Sequence, residues 1–202
     1  MRGSHDRRAP RARQGGRARA ILGAVSELLS SLAAPVAARL VARGDTVAVS
    51  ESSTGGLIAA TLLSIPGASK YFMGGGVIYT QGARRALLTL PDGAVKGIRS
   101  STEAAALINA KTIRERLGTT WAIGETGAAG PTGNRYGDAA GHTCVAVVGP
   151  VERARTIETR RSDREANMWA FTRAALDLLA ECLDAAPQLI GEAQPKASRA
   201  DT

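Results

Sequence analysis

A run of hydroxyl side chains followed by two glycines is the segment of this sequence best suited to chemistry. Residues 47–56 are Val-Ala-Val-Ser-Glu-Ser-Ser-Thr-Gly-Gly, so an apolar strand is predicted to end where the hydroxyl groups begin. A strand that turns directly into a helix places a serine and free backbone N–H groups at one point, which suits a nucleophile or a bound anion. A helix N-cap alone would explain one hydroxyl group. Ser52, Ser53 and Thr54 are three in succession, so the run predicts a functional site.

Two later segments also combine a predicted strand end with glycines and polar side chains. They are Gly-Val-Ile-Tyr-Thr-Gln-Gly-Ala-Arg at 76–84 and Gly-Glu-Thr-Gly-Ala-Ala-Gly-Pro at 124–131. Tyr79 falls at the end of a strand, where open α/β sheets place their site residues. Taken alone, Tyr79 fits a half-buried strand residue equally well, and Arg84 fits a solvated charge. The second segment predicts a turn rich in N–H donors.

Helical and strand patterns alternate along the chain. Helices are predicted at 21–43 with Pro35 restarting the helix, at 54–64, at 84–88, at 100–117 with Ser100 and Glu103 as a capping box, and at 163–180 with Asp163 as the cap. Strands are predicted at 47–50, 75–80, 121–124, 143–148 and 155–159, with a glycine-rich loop at 127–141 and a hairpin at Gly149-Pro150. This order predicts an α/β fold, a three-layer α/β/α sandwich with a mixed sheet.

The length and composition favour one main domain with a short arm and a short tail. The chain has 202 residues, of which 44% are hydrophobic and only 3% aromatic, so the core is expected to consist of Ala-rich helices packed closely on the sheet. We predict a disordered Arg-rich arm at 1–19, the domain at 20–186 and a flexible tail at 187–202. A native arm, a targeting segment and a vector remnant all remain open for the first residues. No apolar run approaches the roughly 20 residues that a membrane span needs.

The charge and the cysteine content exclude two classes of function. The net charge is +8, but residues 1–20 contain seven arginines and one aspartate and account for six of those charges. A basic arm on a nearly neutral domain argues against nucleic acid as the partner. Cys144 and Cys182 have no second cysteine or histidine at ligand spacing, so no metal site is expected, and His142 is interpreted as structural. Two unpaired cysteines favour a reducing, cytoplasmic location.

The three polar segments together resemble the C-terminal domain of the CinA family (competence/damage-inducible protein). The family's E-S-C-T-G-G is similar to residues 51–56, with Ser53 at the cysteine position. Its Y-S/T-N-x-A-K is similar to residues 79–84, with Arg84 at the lysine position, and its T-G-I-A-G-P is similar to residues 126–131. Order and spacing agree over residues 24–184. The resemblance implies the CinA C-terminal fold in its stand-alone form, associated as a homo-oligomer.

Active members of that family are nicotinamide-nucleotide amidases. The resemblance therefore implies hydrolysis of the carboxamide of nicotinamide mononucleotide to the acid and ammonia, with no metal or other cofactor. Ser52 would be the nucleophile, Tyr79 its proton-transfer partner, and Arg84 a cation that holds substrate phosphate or the carboxamide oxygen. Substrate contacts, including anion and oxyanion contacts from backbone N–H groups, are expected at Glu51, Ser53, Thr54, Gly55, Gly56, Thr126, Gly127, Ala128 and Gly130.

The arginine at the family's lysine position leaves three hypotheses open. A guanidinium group stays protonated in proteins, so Arg84 does not accept a proton as a lysine amine can. The chain is then an amidase in which Tyr79 or another base replaces the lysine, or a related protein that binds a nucleotide-like ligand without turnover. The third hypothesis is a structural or regulatory oligomer whose Arg-rich arm contacts a partner or nucleic acid.

Overall fold

The computed structural model describes residues 14–90 and 92–187, which form one five-stranded sheet flanked by helices. The strands are β1 (Val47–Glu51), β2 (Phe72–Val77), β3 (Trp121–Ala128), β4 (His142–Val148) and β5 (Arg153–Glu158). The helices are α1 (Gln14–Arg43), α2 (Leu57–Leu63), α3 (Gln81–Ala83), α4 (Glu103–Leu117) and α5 (Arg164–Ala185). A π-helical turn (Arg84–Leu88) continues α3, and two short 3₁₀ helices lie at Ala68–Lys70 and Asp92–Val95.

The sheet is mixed, with strand order β2-β1-β3-β4-β5. The first three strands in that order are parallel to one another, and β4 and β5 add an antiparallel hairpin. Helices α1, α2 and α5 bury their apolar side chains with one face of the sheet, whereas α4 covers the other face. The predicted three-layer α/β/α sandwich with a mixed sheet is therefore confirmed.

Small residues let α4 lie unusually close to the sheet. A Cβ atom placed on Gly124 of β3 would lie 2.1 Å from the carbonyl oxygen of Ala106 and 3.0 Å from the backbone nitrogen of Ala110. Only a glycine permits this approach of helix backbone to strand backbone. The expectation of Ala-rich helices packed closely on the sheet is confirmed on this face.

The first helix differs from its prediction at both Pro35 and its start. Pro35 lies inside α1, so the predicted restart is wrong. Pro35 has no backbone N–H, so one hydrogen bond of the helix is missing there. Val36 and Leu40, which follow Pro35, are buried in the core, and this packing keeps the helix continuous. Because α1 begins at Gln14, the predicted boundary between arm and domain falls within a helix. Residues 1–13 and 188–202 lie outside the described residues.

Three further boundaries are corrected by the structure. Strand β2 begins at Phe72 and ends at Val77, so both of its ends lie earlier than predicted. Its glycines belong to the strand and fit close against β1: a Cβ atom on Gly75 would lie 2.3 Å from the Val49 carbonyl oxygen. Strand β3 extends to Ala128, so residues 126–128 belong to a strand and not to a loop.

The predicted capping box at the start of α4 is wrong. The N-cap residue is Thr102, whose hydroxyl accepts from the N–H of Ala105 at 3.2 Å. Glu103 is the first residue of the helix, and its carboxylate accepts from the Thr156 hydroxyl instead. The cap predicted at Asp163 is confirmed, because its carboxylate accepts from the N–H of Ala166 at 3.0 Å. None of the helices in the described part of the chain is both long and apolar enough to span a bilayer.

Candidate functional site

The serine-rich turn lies where β1 ends and α2 begins. The helix starts at Leu57 and not at Thr54, because Gly55 and Gly56 adopt left-handed backbone conformations with φ of 66° and 104°. Ser52 is half-buried; its N–H donates to a carboxylate oxygen of Glu125 at 2.9 Å and its carbonyl accepts from Gly55 N–H at 3.2 Å. Its hydroxyl group makes no hydrogen bond with the described residues. The backbone of Ser52 is thus fixed while its reactive group is free.

Glu125 organises this turn, and sequence reasoning missed it. Its side chain is fully buried in the centre of β3. One carboxylate oxygen accepts from Ser52 N–H at 2.9 Å, Thr54 N–H at 3.1 Å and the Thr54 hydroxyl at 3.0 Å. The other accepts from the hydroxyls of Ser53 and Thr143, the latter at 2.8 Å. No cation is among these partners, so donated hydrogen bonds are what stabilises this buried carboxylate.

Glu51 performs the same task at the start of α2. It is 1% exposed and accepts from the N–H groups of Gly56, Ile58 and Ala59 at 2.9–3.1 Å. It also shares the single proton of the Thr54 hydroxyl with Glu125, at 2.8 Å from the Thr54 oxygen. These are N–H groups that the first turn of a helix leaves without partners. Burial raises the pKa of Glu51 above its ordinary value, and the donated hydrogen bonds act in the opposite direction.

These two carboxylates use polar groups that were predicted to contact substrate. The N–H groups of Thr54 and Gly56 donate to Glu125 and Glu51, and that of Gly55 donates to the Ser52 carbonyl. None of Glu51, Ser53, Thr54, Gly55 and Gly56 lines the cavity described next. Their predicted contacts with substrate stay a prediction, and in this structure their place is in the support of the turn.

A cavity of about 530 Å³ lies beside the turn, at the carboxyl ends of the parallel strands. Five of the predicted site residues line it: Ser52, Tyr79, Arg84, Thr126 and Gly127. They come from three segments that are far apart in the sequence. The other lining residues used below are Ser101, Asn109, Asn134, Arg135 and Tyr136. Ala128 and Gly130 were predicted as well but do not line the cavity.

The cavity wall carries positive charge without a carboxylate. Its only ionisable groups besides two tyrosines are Arg84 and Arg135, within the described residues. Neither guanidinium group forms an ion pair or a hydrogen bond with those residues, and Nε of Arg84 is sealed from solvent without a partner. The wall is therefore complementary to an anion.

Tyr79 is held at the rim by an arginine that begins α5. Its side chain is 61% exposed, and its hydroxyl oxygen accepts from Nη2 of Arg164 at 3.3 Å. Nη1 of the same arginine donates to the Gly130 carbonyl at 2.6 Å. Arg164 thus connects two of the predicted segments. Tyr79 lies two residues past the end of β2, so its predicted position within a strand is corrected.

Ser101 lines another part of the cavity wall and connects Thr126 with His142. Its backbone is left-handed, with φ of 58°. Its N–H donates to the Thr126 hydroxyl at 3.2 Å, and its carbonyl accepts from Nε2 of His142 at 3.0 Å. Nδ1 of His142 contacts the carboxylate of Glu158. Burial lowers the pKa of His142, but the hydrogen bonds to Glu158 and Ser101 outweigh it and raise the pKa overall. His142 itself does not line the cavity.

The fold and this site define a class: a three-layer α/β protein with a free serine and an anion-complementary cavity at the carboxyl ends of its parallel strands. The family model described as the CinA C-terminal domain matches residues 29–183. The chain belongs to the CinA family, through its C-terminal domain.

Individual relatives agree with this assignment. The chain is 36% identical over 152 residues to a CinA-like protein of Gloeobacter violaceus. The match covers 74% of this chain and 35% of that protein. It is 36% identical over 160 residues to a CinA-like protein of an Anaeromyxobacter species, covering 79% and 38%. The chain thus spans about a third of the length of these curated relatives.

Solved structures show the same fold. The competence damage-inducible protein A (ComA) of Klebsiella pneumoniae superposes with a TM-score of 0.73 at 28% identity, covering 78% of this chain and 98% of that one. The competence/damage inducible protein CihA of Agrobacterium tumefaciens gives a TM-score of 0.71 at 27% identity, covering 77% and 95%. Both the family and the fold class predicted from the three motifs are confirmed.

Proposed function

We propose that this chain hydrolyses the carboxamide of a pyridine nucleotide, converting nicotinamide mononucleotide to nicotinate mononucleotide and ammonia. The observation that supports this most strongly is the meeting of Ser52, Tyr79 and Arg84 at one cavity. Ser52 comes from one motif of the family resemblance, and Tyr79 and Arg84 come from a second. A nucleophile, a proton-transfer group and a cation are the parts that acyl transfer to a serine needs.

The size and charge of the cavity support a phosphate-bearing ligand. A volume of about 530 Å³ falls within the range of small-molecule sites. Arg84 and Arg135 face the cavity without a carboxylate partner among the described residues, and a guanidinium group binds phosphate oxygens through paired donors. The Nη groups of Arg84, which are not sealed from solvent, would donate to a mononucleotide phosphate.

In the proposed reaction, Ser52 Oγ attacks the carboxamide carbon while the phenolate form of Tyr79 takes the hydroxyl proton and becomes a phenol. The oxyanion that forms is held by Arg84 or by backbone N–H groups near Thr126 and Gly127. The C–N bond then breaks, ammonia leaves with the proton from Tyr79, and water hydrolyses the acyl-serine to the acid. Arg164 donates to Tyr79 and is placed to stabilise negative charge on that oxygen while it exchanges the proton.

A second candidate function is binding of the same ligand without turnover. One observation favours it: the Ser52 hydroxyl has no hydrogen-bonded base among the described residues, although an activated serine needs one. Arg84 does not supply that base, because guanidinium groups remain protonated. The second candidate therefore shares the ligand and the cavity with the first but not the chemistry.

Ammonia release from nicotinamide mononucleotide separates the two candidates. We would compare the wild type with Ser52→Ala, Arg84→Lys and Ser53→Ala. The last is a matched control, since the Ser53 hydroxyl is buried against Glu125 and does not line the cavity. The amidase proposal expects turnover in the wild type and Ser53→Ala, and its loss in Ser52→Ala. A silent wild type with an active Arg84→Lys supports binding without turnover. Silence in all four proteins contradicts the substrate assignment.

We further propose that the chain acts in the cytoplasm as a homo-oligomer. Large apolar side chains are exposed on and near the edge strand β2, namely Met73, Val77, Leu63 and Leu87, at 40–62%. An unpaired strand edge with apolar neighbours favours association. Light scattering during size-exclusion chromatography tests the oligomeric state. A monomer at micromolar concentration would contradict the proposed homo-oligomer.

A further inference from the structure

One polar side chain in the cavity has no role in the site described so far. Asn109 lies on the face of α4 that packs on the sheet, where the other buried residues of the helix are Ala105, Ala106, Ala110 and Ile113. It is 9% exposed and lines the same cavity as Ser52. An asparagine in a row of alanines and an isoleucine is the exception that needs an explanation.

The carboxamide of Asn109 makes no hydrogen bond with any residue in the described part of the chain. Most polar side chains with this degree of burial have a partner. The polar side-chain atoms that are both sealed and unpartnered within 14–90 and 92–187 are Ser50 Oγ and Arg84 Nε. Those of Asn109 are not among them, so they remain accessible, and the accessible space beside them is the cavity. The free side chain is therefore directed to whatever fills that space.

The chemistry of this group narrows the ligand. A carboxamide presents one acceptor oxygen and one NH₂ donor side by side. Its best complement is a group that offers a donor and an acceptor in the same plane, which a primary amide does. A carboxylate offers acceptors only, so it can satisfy the NH₂ of Asn109 but leaves the oxygen of Asn109 facing another oxygen.

We propose that Asn109 is a specificity-determining residue that favours the amide form of the ligand over the acid form. This rests on the proposed function, since the two forms are then substrate and product. The oxygen of Asn109 accepts from the amide N–H of the substrate, and its NH₂ donates to the carbonyl. After hydrolysis the N–H is gone, so the same contact disfavours the product and promotes its release.

Binding measurements on the full chain test this assignment. Ser52→Ala prevents turnover and serves as the background, and calorimetry gives the dissociation constants of nicotinamide mononucleotide and nicotinate mononucleotide. With Asn109 present, the amide is expected to bind about ten- to hundredfold more tightly than the acid, the range for one buried hydrogen bond gained and one repulsion avoided. With Asn109→Leu the preference is expected to disappear, mainly through weaker binding of the amide.

Asn109→Asp is the matched second variant. Its carboxylate keeps an acceptor for the amide N–H and repels the acid form, so a preference for the amide is expected to remain. Thermal denaturation of the unliganded proteins gives the structural control. Leucine suits a buried helix face, so Asn109→Leu is expected to melt at or above the temperature of its background.

The outcomes distinguish the two proposals. If both nucleotides bind and Asn109→Leu leaves their affinity ratio unchanged, the role of Asn109 is refuted while the proposed ligand stands. A lower melting temperature for Asn109→Leu together with an unchanged ratio identifies Asn109 as a structural residue. If neither nucleotide binds in any variant, the proposed function is wrong, and the amide partner assigned to Asn109 is wrong with it.

Discussion

The buried carboxylate of Glu125 is expected to set the stability of the serine turn, and two substitutions test how. Glu125→Gln keeps the shape and one acceptor oxygen. That oxygen can replace the one that accepts from the N–H groups of Ser52 and Thr54. The new NH₂ group then faces the hydroxyls of Ser53 and Thr143, which can rotate and accept in place of donating. Glu125→Leu removes every acceptor and leaves both N–H groups without a partner.

The comparison between the two variants reports on the groups that donate to Glu125, of which only the two N–H groups cannot rotate toward another partner. Both substitutions introduce a neutral side chain, so the cost of burying a charge does not enter the comparison between them. Each buried N–H group left unsatisfied costs about 1–3 kcal/mol, so Glu125→Leu is expected to be less stable than Glu125→Gln by about 2–6 kcal/mol. Glu125→Gln itself loses only charge assistance and is expected to stay folded.

Urea denaturation followed by circular dichroism measures this difference. The slopes of the transitions should agree among the three proteins, so that the midpoints report stability and not a change in the unfolded state. If the free energies of unfolding of the two variants lie within about 1 kcal/mol of each other, the N–H groups have found other partners. The account of Glu125 as the acceptor that holds the turn would then be refuted.

Three further substitutions test other parts of the structure. Gly124→Ala should destabilise the fold by about 3 kcal/mol, because its Cβ would lie 2.1 Å from the Ala106 carbonyl oxygen, and an unchanged urea midpoint would show that α4 can move aside. Thr102→Ala removes the N-cap of α4 and should cost about 1 kcal/mol in the same assay, with Thr102→Ser restoring most of it. The raised pKa of His142 means that its bonds to Glu158 and Ser101 contribute stability below about pH 6.5, and that this contribution is lost as the pH rises through the folded-state pKa. The wild type should therefore lose stability relative to His142→Gln between mildly acidic and mildly alkaline pH, and parallel pH profiles would contradict this.

The fold class and several residues that line the cavity could be predicted because their signals are local. Apolar strands, glycine turns and the Asp163 cap each occupy a few consecutive residues, and the structure has them close to where they were expected. Ser52, Tyr79 and Arg84 were found through motifs of the same kind. Their meeting at one cavity then follows from the parallel order of β1, β2 and β3, whose carboxyl ends lie at one edge of the sheet.

Glu125 and Asn109 could not be predicted because their surroundings are set by distant residues. Glu125 accepts hydrogen bonds from residues that lie 71–73 positions earlier in the chain. No sequence pattern around position 125 predicts these partners. The sequence does not distinguish Asn109 from other polar residues of a helix. Its place in the cavity wall is set by the packing of α4 on the sheet. The acceptors for the backbone N–H groups of the serine turn were not predicted either: Thr54 N–H donates to the distant Glu125 and Gly56 N–H to the nearby Glu51.

The way the turn is built bears on the choice between catalysis and binding alone. Two buried carboxylates, Glu51 and Glu125, fix the backbone on both sides of Ser52 through donated hydrogen bonds. Burying two carboxylates close together costs free energy of folding. An arrangement with this cost is expected only where a fixed turn contributes to function. A ligand-binding loop gains little from holding one hydroxyl group without a partner, whereas a nucleophile gains from being held at a defined distance from the reacting carbon. The support beneath Ser52 therefore favours the amidase hypothesis over binding alone. Because Arg84 stays protonated, that hypothesis requires another side chain as the base for Ser52.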